Sequence, residues 1–157
     1  MPLRTRNVVQ HKQRLDSVFA KSSDLNSDAE LLANWGKYTC VLVSGFVEQS
    51  VRSILTEYAK SKSAPEIEQF VGRSLRSFTN AKLSKILDLL EKFSVEIRNN
   101  FESRIDDEHK DAVNSIVANR HLIAHGRDVG MSLTTVSTYY ARVVTVMEEL
   151  ETTLGIT

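Results

Sequence analysis

Residues 27–60 read SDAELLANWGKYTCVLVSGFVEQSVRSILTEYAK, and the apolar positions Leu31, Trp35, Leu42, Phe46, Ile54 and Tyr58 recur there at helical steps. A 3.6-residue period of this kind lines one face of an α-helix, so one long helix is expected from this stretch alone. Ser27-Asp28-Ala29-Glu30 reads as its start, a capping box in which Ser27 covers a free N–H while Glu30 reaches back. Gly36 and Gly45 lie inside it, each costing up to ~1 kcal/mol against Ala. Close approach of a neighbouring helix is the expected reason for their presence.

The same period runs outward in both directions. A first helix is expected over 3–21, with Val8, Leu15, Val18 and Phe19 toward a core, before the polar break at 22–26. Ser63-Ala64-Pro65-Glu66 reads as a second capping box, with Pro65 at a first-turn position where its missing N–H does no harm. That shorter helix should end near Phe78, and Asn80 should cap the next, whose stripe is Leu83, Ile86, Leu87, Leu90 and Phe93. Residues 94–105 suggest another short helix. Asp106 or Asp107 then opens one that Gly126 stops, and a last helix runs from about Leu133 to Leu154, closed by Gly155. The fold class expected is all-α, an up-and-down bundle of about five to seven helices in a single domain over 1–157.

Composition agrees with that class. Six Gly and two Pro in 157 residues leave few punctuation points for a turn-rich β fold. With 20 basic and 20 acidic residues, no global field announces a polyanion. The charges are nonetheless uneven. Residues 1–21 carry Arg4, Arg6, Lys12, Arg14 and Lys21 against Asp16 alone, and residues 60–85 are also mostly basic, whereas Glu148, Glu149 and Glu151 cluster. One face could hold a polyanion, although solvated helix faces are the commoner meaning of such clusters. The lone Cys40, within an apolar run, excludes an internal disulfide and reads as a small core hydrophobe. No signal-peptide core or ~20-residue apolar span is present, so a cytosolic protein without membrane attachment is expected.

Chemistry concentrates in Asn119-Arg120-His121-Leu122-Ile123-Ala124-His125-Gly126. Imidazoles in general titrate near ~6.5 and can take or supply a proton around neutrality. An arginine fork matches phosphate oxygens and can stabilise charge that builds on them. RNA brings its own nucleophile, the ribose 2′-hydroxyl, so this set suits RNA cleavage without metal or cofactor. Arg120 and His125 are separated by about 140° around the helix, so they can converge on a ligand across the helix end or across a two-fold axis. The bland alternative is that Arg120 pairs with a carboxylate while the imidazoles cap the negative helix end.

This motif resembles that of the HEPN superfamily, in which an Arg and a polar residue precede a His at a helix end. Arg120 fills the Arg position, His121 the polar position and His125 the His position. The string through Gly126 is similar to the widespread "RN-x-x-AHG" form with His in place of Asn. Ser77-Phe78-Thr79-Asn80, the Leu-rich helix to Phe93 and the Tyr139-Tyr140 helix resemble the RiboL-PSP-type branch, over roughly 25–153. The resemblance implies a HEPN-like bundle and a metal-independent ribonuclease of toxin–antitoxin, abortive-infection or antiviral systems. It also implies a homodimer with a composite cleft, and an antitoxin or regulatory protein as partner. One HEPN toxin class carries a Tyr two positions after the motif His, which a partner nucleotidyltransferase modifies; Arg127 stands there in this chain.

The expected roles follow. His125 acts as general acid or base, Arg120 sits on the scissile phosphate, and His121 assists. Glu48 and Asn119 are auxiliary candidates: Glu48 either pairs with Arg52 along its own helix or points into the cleft, while Asn119 and Asn114 could contact RNA. His121 and His125, four apart, could form half of a metal site completed by His11, His109 or a carboxylate, although no metal motif accompanies them. Trp35, Tyr38 and Tyr58 are expected in the core, base stacking being the weaker reading. A non-catalytic RNA- or nucleotide-binding module, an antitoxin-bound partner subunit and a purely structural helical dimer remain the competing classes.

Overall fold

The computed structural model describes residues 2–25 and 28–157, and for Ser23 the backbone only. The described residues form α-helices joined by short links, without a strand. They are α1 (Arg6–Lys21), α2 (Ala29–Lys62), α3 (Pro65–Ser74), α4 (Leu83–Phe93), α5 (Val95–Arg104), α6 (Asp107–Ala124) and α7 (Leu133–Thr153). Short 3₁₀ turns follow α1 and α3, at Ser22–Leu25 and Leu75–Ser77. The all-α bundle expected from the periodicity is what the chain forms.

The 34-residue α2 is the centre, packing against α1, α3, α6 and α7. Its length follows from the unbroken apolar period, and its buried side Cys40, Val43, Phe46, Val47, Val51, Ile54 and Leu55 is fully enclosed. From α6 come Val113 and Ile116, and from α7 Val143, Val146, Met147 and Leu150. Cys40 lies with its Sγ 3.6 Å from the Ile116 carbonyl, and burial pushes its thiol up to about 11. Gly36 does mark a close approach, of loop backbone: a Cβ there would lie 3.1 Å from the Met131 carbonyl oxygen and 3.2 Å from the Leu133 nitrogen. Gly45 marks none, since a Cβ there meets nothing within 4 Å.

Several caps differ from those expected. The Ser27 reading lies outside the described residues; Asp28 is the N-cap of α2, accepting from the Glu30 and Leu31 N–H groups at 3.0 and 3.1 Å. Ser63 forms no capping box, because its hydroxyl turns back to the Ala59 carbonyl at 2.6 Å, and α3 starts at Pro65 without a side-chain cap. Asn80 does not cap α4. It takes the left-handed conformation (φ 51°) in the preceding loop, and the Leu83 N–H donates to Asn114 Oδ1 of α6 at 3.0 Å. Glu151, expected in an exposed acidic cluster, is 2 % exposed, and its carboxylate accepts from the Arg4 and Thr5 N–H groups at 2.7 and 2.8 Å. The chain entering α1 is thus tied down by α7. Tyr38 leaves the expected core and is 48 % exposed, tilted against the half-buried Trp35 with ring centroids 5.1 Å apart. Among the described residues, no helix is long and apolar enough to cross a membrane.

Candidate functional site

α6 carries the motif, and both of its ends are built by local chemistry. At the start, Asp106 Oδ1 accepts the His109 N–H at 2.9 Å while the Asp106 N–H donates to His109 Nδ1 at 3.3 Å. Asp107 and Glu108 add negative charge where the helix dipole is positive. At the far end Gly126 adopts φ 69°, a left-handed conformation that costs a residue with a Cβ ~1–2 kcal/mol. The Arg127 N–H then reaches the Leu122 carbonyl and the Gly126 N–H the Ile123 carbonyl, both at 3.0 Å. This is a Schellman closure, and it holds His125 at the C-cap with φ −92° and ψ 12°.

The two sides of this last turn differ. Arg120 stands four residues after Ile116 and three after Val117, at the end of the buried stripe of α6, and is half-buried. His121 and His125 face solvent one turn apart, with ring centroids 4.4 Å apart and planes at 65°. Among the described residues Arg120 has no carboxylate or other polar partner, and neither imidazole bonds a helix-end carbonyl. The arrangement is a partly desolvated permanent cation beside two accessible proton carriers. Placing an anion there satisfies a guanidinium that the fold leaves without a counter-charge. The loop beyond is held on α2, by the Gly36 contact and by a Lys37–Asp128 ion pair at 3.5 Å.

The auxiliary candidates have other duties. Glu48 Oε1 accepts the Asn80 N–H at 2.8 Å, and Arg52 donates from two guanidinium nitrogens to the Phe78 carbonyl, Nε at 3.0 Å. Neither the expected Glu48–Arg52 pair nor a Glu48–Arg120 contact is formed among the described residues. Glu48 lies eleven residues along α2 from Lys37, ~16 Å of helix rise from the motif loop, and with Arg52 it braces the loop over 78–80. Asn119 turns its amide onto the Ser115 carbonyl at 2.8 Å, and Asn114 is occupied at the start of α4. His109 belongs to the opposite end of α6, and His11 packs edge-on against Phe46 at 5.2 Å. Neither completes a metal set with His121 and His125. Among the described residues, no three His, Cys, Asp or Glu side chains gather where a metal ion could be held.

The model of the family described as RiboL-PSP-HEPN matches residues 5–155. The chain belongs to the RiboL-PSP-HEPN family. The match begins twenty residues before the stretch read as similar from the sequence, so α1, whose entry is held by Glu151, lies within the RiboL-PSP-HEPN unit. No curated protein and no solved structure matches the chain. In this HEPN chain, what the sequence did not disclose is the structural duty of residues that act from afar: Glu151, Asn114, and the Glu48–Arg52 brace. Glu48, a charged residue within the apolar α2 run, gave a signal, but its partner is the Asn80 N–H and not Arg52.

Proposed function

We propose that this chain is a metal-independent endoribonuclease, with Arg120 and His125 as its reacting centre and His121 assisting. The observation that carries the proposal is the half-buried Arg120, without a counter-charge among the described residues, beside imidazoles 4.4 Å apart. In the proposed reaction the ribose O2′ attacks the adjacent phosphorus, the P–O5′ bond breaks, and a 2′,3′-cyclic phosphate and a 5′-hydroxyl result. One imidazole takes the 2′-hydroxyl proton while another donates to the departing O5′. Arg120 bonds the non-bridging oxygens as charge accumulates on them, where a preorganised donor is worth most.

A second copy supplies the remaining groups in this proposal. Leu31, Tyr38 and Val41 leave an apolar strip on the outer face of α2, 43, 48 and 38 % exposed. Tyr38 directly follows Lys37, which bonds the motif loop, so a two-fold contact on this strip brings two motif ends toward one another. Membership of the HEPN family supports a toxin–antitoxin or defence system as the setting, with an antitoxin or regulatory protein as partner.

The deciding experiment is cleavage of total RNA by the purified protein in excess EDTA, with product ends analysed. Cleavage to 2′,3′-cyclic phosphate is expected. RNA binding with no cleavage would replace the enzyme with a binding module, and activity lost to chelator and restored by Zn²⁺ would replace the metal-free chemistry.

A further inference from the structure

Away from the motif, the N-terminal half of α1 and the C-terminal half of α2 enclose two adjoining hollows of about 290 and 530 Å³. They share Asn7, Arg52 and Ser53, so together they form one groove. His11 and Arg14 line one end, and Arg4, Arg6 and Lys60 the other, with Glu57 the one acidic side chain among the lining residues.

Some cations of this neutral chain meet carboxylates: Lys12 meets Asp16 at 2.7 Å, Arg142 meets Glu108 at 3.3 Å and Arg104 meets Glu149 at 3.5 Å. Arg6, Arg14 and Lys60 have none among the described residues. The uncompensated field has a local effect: burial first, then the Arg14 charge, holds His11 below the usual histidine range. Eight residues separate Arg6 from Arg14, ~12 Å along the helix, enough for consecutive backbone phosphates. Apart from Ile156, the remaining lining side chains are amides and hydroxyls, which bond phosphate oxygens, and no Phe, Tyr or Trp is among them to stack on bases.

We propose that the α1–α2 groove is a second RNA site, which binds the phosphate backbone of single-stranded RNA irrespective of sequence. Arg52 lies sixteen residues from Gly36 on α2, ~24 Å of helix, so this site is distinct from the motif and raises affinity without touching the reacting phosphate. It rests on the ribonuclease reading only for its consequence on turnover, since binding is measured without cleavage.

The test uses full-length protein carrying His125→Ala and a fluorescein-labelled, unstructured RNA oligonucleotide, with anisotropy read at several salt concentrations. Adding Arg6→Gln, Arg14→Gln and Lys60→Gln together, all exposed positions, should weaken binding at least tenfold at low salt. It should also flatten the log Kd–log salt slope by about 2, from ~0.7 per lost phosphate contact. Circular dichroism checks that the fold is kept. An unchanged Kd and slope, no RNA binding at all, or groove-dependent binding to phosphatidylserine vesicles in place of RNA would each overturn the proposal. In the cleaving background the triple variant should raise KM and spare kcat. If the parent protein never cleaves yet the groove variant loses RNA, the groove stands and the ribonuclease reading falls; cleavage with an unaltered KM gives the reverse.

Discussion

Arg120 owes its interest to where it stands on α6. Three and four residues earlier the same stripe carries Val117 and Ile116, which are buried, so Arg120 continues the bundle-facing stripe and is itself half-buried. Replacing it with Ala should lower RNA cleavage by ~10²–10³, the usual loss of one preorganised donor. Arg120→Lys should recover little, because a point charge does not reproduce the planar fork. His125→Ala should be as damaging, and circular dichroism should show both folds intact; a variant retaining the parent rate would remove its residue from the reaction. Cys40 provides a test of burial at the same scale. With its thiol raised to about 11 from an ordinary 9.0, native protein at pH 8 should resist a thiol-specific reagent until it is denatured. Its contribution to stability is full below 9.0 and falls as pH rises toward 11, where only the unfolded thiol ionises. Denaturation midpoints across that window, in parent and Cys40→Ala, measure it.

At the scale of elements, the helices were legible because an apolar residue every three or four positions reports helix phase regardless of what the helix meets. α2, α6 and α7 could be placed from that phase and from Gly126 and Gly155, both left-handed in the structure. The caps were less legible. Asp106 with His109 is a local pair and can be read, whereas the Leu83 N–H is satisfied by Asn114, thirty-one residues away. Nothing in a string reports a partner fixed only once two helices have docked. Asn114→Ala should therefore cost ~1 kcal/mol, the worth of an N-cap, although Asn114 sits in the middle of α6, where Ala favours the helix. Urea unfolding of the variant against a neutral surface control such as Ser115→Ala checks this.

Across the whole molecule, one polar link joins the two ends of the described chain: Glu151 on α7 holds the backbone N–H groups of Arg4 and Thr5. Charge composition read this carboxylate as one more member of an acidic cluster, since sequence cannot tell which of three neighbouring glutamates turns inward. Glu151→Ala strands two N–H groups and should destabilise by ~2–4 kcal/mol. Deleting residues 2–5 should cost less in the Glu151→Ala background than in the parent, which denaturant melts of the four proteins would show. The placement of Arg120, His121 and His125 at one helix end could be read, since they lie within six residues of one another just before Gly126. Their surroundings could not, because the lack of a counter-charge at Arg120 among the described residues depends on every other helix.

Gly36 and Gly45 sit nine residues apart on one helix and look alike in the sequence, yet the structure makes them opposites. At Gly45 a methyl group enters open space, so Ala brings only its lower conformational entropy cost and should raise stability by up to ~1 kcal/mol. At Gly36 the same methyl meets backbone atoms at 3.1 and 3.2 Å, and the chain leaving the motif must give way. In a saturation library selected for RNA cleavage, position 45 should accept small side chains freely while position 36 stays glycine. The missing side chain at Gly36 would then behave like a catalytic requirement, although it touches no substrate.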